Sequence, residues 1–408
     1  MSKLARALIA GTSAATLTSA ISFAEPINSA EGDQVSDAPV QAVTETYAQD
    51  AAQLVAAAIA QANAASAEYA EDARLVLNQR AQSEGDDPMA EAYAYGEGVN
   101  VWGGASASAT ATTNALTASA DGPLELEVDQ SVEAPRAASA LSALRLDDYA
   151  GAAIASATAG ANAIEAWGYD AQTIDARQSL NGDVDAVSQV LSTAETESGV
   201  TRAVAAGNSI TAGGWDADPI VYMDQSANGE ISSLAQGDYA ELINGGVVSA
   251  QAAANTLTIT NDWGYAHAQG SQTASGEVRA QAQLTAGDFG WGSGVGAATA
   301  SGNALSISNI GADAYMGVDQ ANAANVSAKS LVSGAGGSAL ISSASAFGNS
   351  ASGRICSECP VGLDGFATQT NTGTVRASSL AVSAGAPSVS SAATAVGNSL
   401  TFSTITPD

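Results

Sequence analysis

"ATASGNALSISNIGADAYMGVDQ", residues 298–320, alternates like a β-strand, yet its positions hold Ala, Ser, Thr, Gly and Asn where a globular strand would carry Val, Leu and Phe. A strand of this kind has no thick core of its own to pack against. Its meaning lies in what recurs along the rest of the chain.

An Asn, usually preceded by Gly or Ala and followed by a small or apolar residue, returns at Asn63, Asn114, Asn162, Asn208, Asn255, Asn303, Asn349 and Asn398, at intervals of 46 to 51 residues. A Gln follows the first seven of these: Gln79, Gln130, Gln178, Gln225, Gln272, Gln320 and Gln369, at 16 or 17 residues in six copies and 20 in the last. Gly182, Gly229, Gly276 and Gly373 come four residues after their Gln, and Val184, Ile231, Val278 and Val375 two residues later; in one further copy Ala324 precedes Val326. Each unit reads as a long alternating strand around the Asn, a Gly/Asp turn, a strand ending at the Gln, a second turn and a third strand.

A unit of about 47 residues made of strands and turns cannot bury a face alone, so successive units must stack. The expected fold is therefore all-β, a β-solenoid of about seven repeats whose equivalent residues lie above one another at ~4.8 Å. In such a stack Asn lies on Asn and Gln on Gln, and their amides satisfy each other along the axis. The expected ladders comprise Asn114, Asn162, Asn208, Asn255, Asn303, Asn349 and Asn398, and Gln130, Gln178, Gln225, Gln272, Gln320 and Gln369. Small inward residues then let two walls approach closely. One coil per repeat gives a rod of about 30–40 Å, two coils about twice that.

The ends of the chain carry other signals. "MSKLARALIAGTSAATLTSAISFAEP" has Lys3 and Arg6, an apolar stretch and a small-x-small site ending at Ala24, which reads as a secretory signal peptide over residues 1–24. Residues 25–45, with Pro26 and Pro39 among acidic and small polar residues, read as a flexible leader. Residues 46–408 form the repeat domain, which closes on a half repeat. In the first copy the Ala-rich stretch from Asp50 to Gln82 holds no Gly or Pro, so a helical N-terminal cap competes there with a strand.

Charge narrows the function. With 42 acidic residues against 12 Lys and Arg the chain carries −30, which repels nucleic acid and anionic lipid alike. No later segment reaches ~18 consecutive apolar residues, so no transmembrane helix is expected in the mature chain. Cys356 and Cys359 form a lone CxxC, best read in an oxidising compartment as a local disulfide; a redox centre or half of a metal site is the other reading.

Trp167, Trp215 and Trp263 are each 48 residues apart in the turn after the Asn strand. Aromatics in line on one edge, beside Asp and Asn, suit stacking against sugar rings or capping of the narrow core. Turn aspartates such as Asp121, Asp170, Asp216, Asp218, Asp262 and Asp313 offer oxygen ligands for calcium, without a DxDxDG loop or a GGxGxD array; solvated acidic turns explain them better. His267 has no recognisable nucleophile beside it, and no carboxylate pair stands out as an acid/base couple. No cofactor is expected.

The signal peptide, the Ala/Ser/Gly/Asn composition, the "GNAL" and "GNSL" strands and the "DQ…G" turns together resemble the holdfast anchor protein D family of stalked alphaproteobacteria. The chain is also distantly similar in style to curlin subunits, without their Gln-x-Gly-x-x-Asn spacing. The resemblance implies a non-enzymatic protein exported to the cell surface, associated with the outer membrane and companion anchor proteins, tethering an adhesive polysaccharide to the envelope. It brings no catalytic residues. The alternatives are a secreted carbohydrate-active enzyme on a β-helix, such as a polysaccharide lyase or hydrolase, and a calcium-binding surface solenoid.

Overall fold

The structure, a computed structural model, describes residues 29–356 and 361–405. The expected signal peptide and Cys359 lie outside the described residues. Every strand pairing is parallel and joins a residue to its counterpart one repeat on: Asn255 to Asn303, Gln272 to Gln320, Val278 to Val326. The chain thus makes one coil per repeat, a β-solenoid.

Eight coils follow in order. The first is β1 (Ala30–Ser36), β2 (Val40–Ala51) and β3 (Leu54–Tyr69); the second is β4 (Ala73–Gln82), β5 (Ala90–Val101) and β6 (Ala105–Ala120). Strands β7 (Leu124–Gly168) and β8 (Ala171–Trp215) each run a whole coil without interruption. The fifth is β9 (Asp218–Ala227), β10 (Ile231–Leu242) and β11 (Gly245–Asp262), and the sixth β12 (Ala266–Ala274), β13 (Val278–Asp288) and β14 (Ser293–Ile310). The seventh is β15 (Ala314–Asn322), β16 (Val326–Ala335) and β17 (Ala339–Cys356), and the eighth β18 (Leu363–Asn371), β19 (Val375–Ala384) and β20 (Val389–Ile405). At ~4.8 Å per step the first and last coils stand about 34 Å apart.

Three expectations change. The stretch expected as a flexible leader is strand from Ala30: β1 pairs with β4 and β2 with β5, so this segment is the first two-thirds of a coil. The expected helical cap is β3, paired with β6 from Leu54 to Tyr69, because ladder hydrogen bonds to the next coil override the helix preference of Ala. The closing half repeat is the last strand of a complete eighth coil, since a coil begins at the Gln strand and not at the Asn strand.

In cross-section the coil is flattened. The long Asn strand forms one wall and the two shorter strands, end to end, form the other. On β11, Ala250 and Ala252 pack in one apolar cluster with Val278, Ala280 and Ala282 of β13. Leu257 and Ile259 of the same strand pack in a second cluster with Val221 and Met223 of β9. Asn255 lies between the two clusters.

At the Asn the alternation slips. Pairing skips Ala254, and Ala254 and Asn255 are both buried, so one extra residue sits in every coil as a stacked bulge. Space there is short: a Cβ on Gly207 would lie 2.5 Å from the carbonyl oxygen of Ala254, and one on Gly348 would lie 2.5 Å from that of Gly397. This crowding favours the Gly or Ala that precedes seven of the eight Asn residues, Thr113 before Asn114 being the exception.

The amides run through the gap between the clusters. Asn63 Nδ2 donates to Asn114 Oδ1 at 2.8 Å, and the same bond repeats at 2.8 Å through Asn162, Asn208, Asn255, Asn303 and Asn349 to Asn398. The Gln row runs the other way: Gln369 Nε2 donates to Gln320, and so on through Gln272, Gln225, Gln178, Gln130 and Gln79 to Gln34, at 2.6–2.8 Å. Each amide spends its second N–H on a carbonyl across the coil, as in Asn255 to Thr273 at 2.8 Å and Gln272 to Ala304 at 3.2 Å. The amide donors of the two rows are thereby satisfied without water. Gln34, hidden in the expected leader, is a rung the sequence reading missed.

Candidate functional site: an aromatic strip on the Gln-strand face

With the ladders turned inward, alternate residues of the Gln strands face outward. Over the last four coils these positions hold rings: Tyr222 on β9, His267 on β12, Tyr315 on β15 and Phe366 on β18, with Tyr265 just ahead of β12. His267 pairs directly with Tyr315, and Tyr222 and Phe366 occupy the neighbouring column two residues along, linked through Gln269 and Gly317. The His267 and Tyr315 rings stack at 4.6 Å and 24°, while Tyr222 and Tyr265 tilt against His267 at 5.6 and 6.1 Å. Tyr222 is 42% and Phe366 56% exposed.

Gly317 keeps the strip flat. A Cβ there would lie 2.8 Å from Tyr315 Oη and 3.2 Å from Phe366 Cε1, so both rings lean over bare backbone. The strip spans three coil steps, about 14 Å. Tyr265 Oη and His267 Nδ1 stand 3.3 Å apart.

Polar groups edge this surface. Asp224 accepts from Ser271 Oγ at 2.8 Å, and Asp319 lies in the same column. Burial holds the His267 imidazole below its usual 6.5, opposed by a hydrogen bond with Gln269. The ring is therefore neutral at pH 7 and the strip carries no cation. Its folded-state value being depressed, the stability tied to it is present above 6.5 and lost as pH falls through the folded value. An NMR titration of the single His is expected to give a midpoint below 6.5; one at or above it removes the burial argument.

The Trp residues expected to line one edge are placed differently. Coil-to-coil register at that corner is 46 residues between β7 and β8 and 47 between β8 and β11, so Trp167 pairs with Gly213 and Trp215 with Asp262. A 48-residue spacing thus walks Trp167, Trp215 and Trp263 along the corner, and they form no rung. All three are about half exposed, at 47, 55 and 56%. Trp263 takes a left-handed backbone (φ 70°), and its ring covers Gly311 of the next coil. Trp263 lies two residues before Tyr265, at the margin of the strip.

Two of the turn aspartates cap backbone across coils, and Asp170 accepts from the amide of its own neighbour Ala171. Asp218 Oδ1 accepts from the Tyr265 amide and Asp313 Oδ1 from the Gly362 amide, each at 2.6 Å. Among the described residues no three His, Cys, Asp or Glu side chains group closely enough to hold a metal ion. Burial raises the Glu230 carboxyl, opposed by Arg279, which bridges Glu230 at 3.5 Å and Glu277 at 2.7 Å. Those carboxylates are engaged in an ion-pair network. Cys356 ends β17, and its expected partner Cys359 is not among the described residues. No described helix is long and apolar enough to cross a membrane.

Among known families, the model of Holdfast attachment protein D matches residues 48–325. The chain belongs to the holdfast attachment protein D family. The match runs from the first coil into the seventh and takes in Tyr222, Tyr265, His267 and Tyr315, while Phe366 falls beyond it. No curated protein and no solved structure matches the chain.

The strip was missed in the sequence because its members share no spacing. Tyr222, His267, Tyr315 and Phe366 follow one another at 45, 48 and 51 residues, the middle two in one column and the outer two in its neighbour. Only the register of the coils brings them together.

Proposed function

We propose that this protein is a non-enzymatic, exported surface protein that holds an adhesive polysaccharide to the cell envelope, in company with other anchor proteins at the outer membrane. The observation that carries the polysaccharide is the aromatic strip. Pyranose rings present faces of C–H groups that pack on the π-faces of Tyr, Phe and neutral His, and their hydroxyls find Asp oxygens at the margin. The rise between successive rings, ~4.8 Å per coil, is close to the length of one sugar in an extended chain. Trp167, Trp215 and Trp263 extend the same kind of contact around the corner. Membership of a holdfast attachment family supports the attachment role. No calcium is required by this reading.

The test is the triple variant Tyr222→Ala, Tyr315→Ala, Phe366→Ala, assayed by co-sedimentation with purified holdfast polysaccharide and by adhesin retention on cells. At about 1 kcal/mol per ring, binding is expected to fall about 100-fold, with the thermal midpoint little changed because the side chains face outward. Unchanged binding would remove the strip from the reading. A gene deletion that leaves the adhesin cell-bound would remove the anchoring role itself, and release of reducing ends from the polysaccharide would mark an enzyme.

A further inference from the structure

We propose that the two end faces of the solenoid bind each other, so that the protein stacks head to tail with further copies of itself. Among the described residues no strand pairs with the outer edges of β1–β3 or of β18–β20. Each therefore presents a row of backbone donors and acceptors, the usual template for strand addition. What singles out a second copy as the occupant is the match between the two ends.

In coil 1, 29 residues separate Gln34 from Asn63, and in coil 8, 29 separate Gln369 from Asn398. In coil 2 the same interval, from Gln79 to Asn114, is 35. Laying coil 1 of one copy on coil 8 of another with Gln34 over Gln369 therefore also sets Asn63 over Asn398. The strand starts coincide as well: Val40 falls over Val375, and Leu54 over Val389. Even the left-handed backbone positions agree, Asp50 (φ 51°) over Gly385 (φ 103°). One constant offset therefore keeps all three strands in phase.

Chemistry follows the geometry. The Asn row donates toward the C-terminal end, and Asn398 accepts from Asn349 and donates to the Gln369 carbonyl. Its second N–H meets no described acceptor, while Asn63 Oδ1 receives no described donor. Stacked, the one completes the other and the Asn row continues across the junction. Inward positions meet like with like: Ala42 over Ala377, Thr44 over Ser379, Ala58 over Ala393.

Charge permits this contact. Coil 1 carries six carboxylates (Glu31, Asp33, Asp37, Glu45, Asp50 and Glu68) and no cation, whereas β18–β20 carry one carboxylate, Asp364, and one cation, Arg376. In the matched register the six fall over Phe366, Thr368, Thr372, Leu380, Gly385 and Ser403, so no carboxylate faces another. Side-by-side packing of two chains at −30 has no such relief.

The test uses the full chain with Cys356→Ser and Cys359→Ser, adding Glu45→Cys and Leu380→Cys. Both added positions face outward, and within one chain they are seven coil steps apart, about 34 Å, too far for a disulfide. Opposite each other across a junction they stand at about 4.8 Å, within disulfide reach. Mild oxidation is expected to give a ladder of covalent multimers on a denaturing gel. The off-register pair Gln49→Cys with Leu380→Cys, displaced by four residues, is expected to give far less. Sedimentation velocity on the uncrosslinked chain should show mass rising with concentration, and Asn398→Asp, which keeps the acceptor for Asn349 but loses the donor, should weaken association at least tenfold. A chain that stays monomeric at every concentration, or equal cross-linking of the two pairs, overturns the proposal.

Discussion

Asn255→Leu is expected to lower stability by about 3–6 kcal/mol, because a mid-ladder amide serves three partners and each orphaned buried group costs about 1–3 kcal/mol. Without it, Asn208 Nδ2 loses its acceptor, Asn303 Oδ1 its donor, and the carbonyl of Thr273 its cross-coil bond. The site is fully buried, so water cannot take their place. Asn398→Leu removes the last rung, where Asn349 Nδ2 and the Gln369 carbonyl lose their partners beside solvent that can replace them, and about 1 kcal/mol is expected. Urea denaturation of the two variants, followed by far-UV circular dichroism, reads the difference; equal losses would argue that the amides do not act as a stacked row.

Ala282→Leu is the second large effect expected. Ala282 is fully buried, stacked on Ala235 below and Ser330 above, and packed in the cluster that contains Ala250 and Ala252 of the opposite wall. Leu would put three more carbons into a column of Ala and Ser. Overpacking of a well-filled core costs about 1–3 kcal/mol where neighbours can yield; here the neighbours are Ala, Ser and backbone, so a loss of about 3 kcal/mol or more is expected. The adjacent Gln281→Leu, on a half-exposed outward position, should change stability by about 0.5 kcal/mol or less. A midpoint for Ala282→Leu close to that of the parent chain would mean the walls are free to part, and small residues would then need another explanation.

Much of this fold was legible because its strongest signal is chemical and not apolar. Asn and Gln hold phase over the repeats since each must find its own kind one coil away, and that constraint survives wherever Ala, Ser and Thr are interchangeable around it. Hydrophobic alternation was weaker for the same reason: from Leu54 to Tyr69 Ala fills both faces of β3, leaving strand and helix hard to separate until pairing with β6 decides. Coil 1 went unread because its Gln34 has no Asn 16 or 17 residues before it, and because Pro39 and the acidic residues looked like a leader. Pro39 instead sits in the turn between β1 and β2, where no ladder N–H is needed.

The aromatic site shows the opposite case. Regular spacing of Trp167, Trp215 and Trp263 suggested a line that the register breaks, while irregular spacing of Tyr222, His267, Tyr315 and Phe366 concealed a line that the register makes. Turn lengths vary from coil to coil, so a constant distance along the sequence is not a constant position on the surface. Sites on a solenoid of this kind are best sought in columns of paired residues.

The opposed directions of the two amide rows have an electrical consequence. Each row is a file of aligned side-chain dipoles, and a single file would gather partial charge at its ends as a helix does. Because the Asn file points one way along the axis and the Gln file the other, the two fields largely cancel at every cross-section. Adding a coil then builds up no end charge from the amide rows, and these rows set no limit of their own on the length of the array.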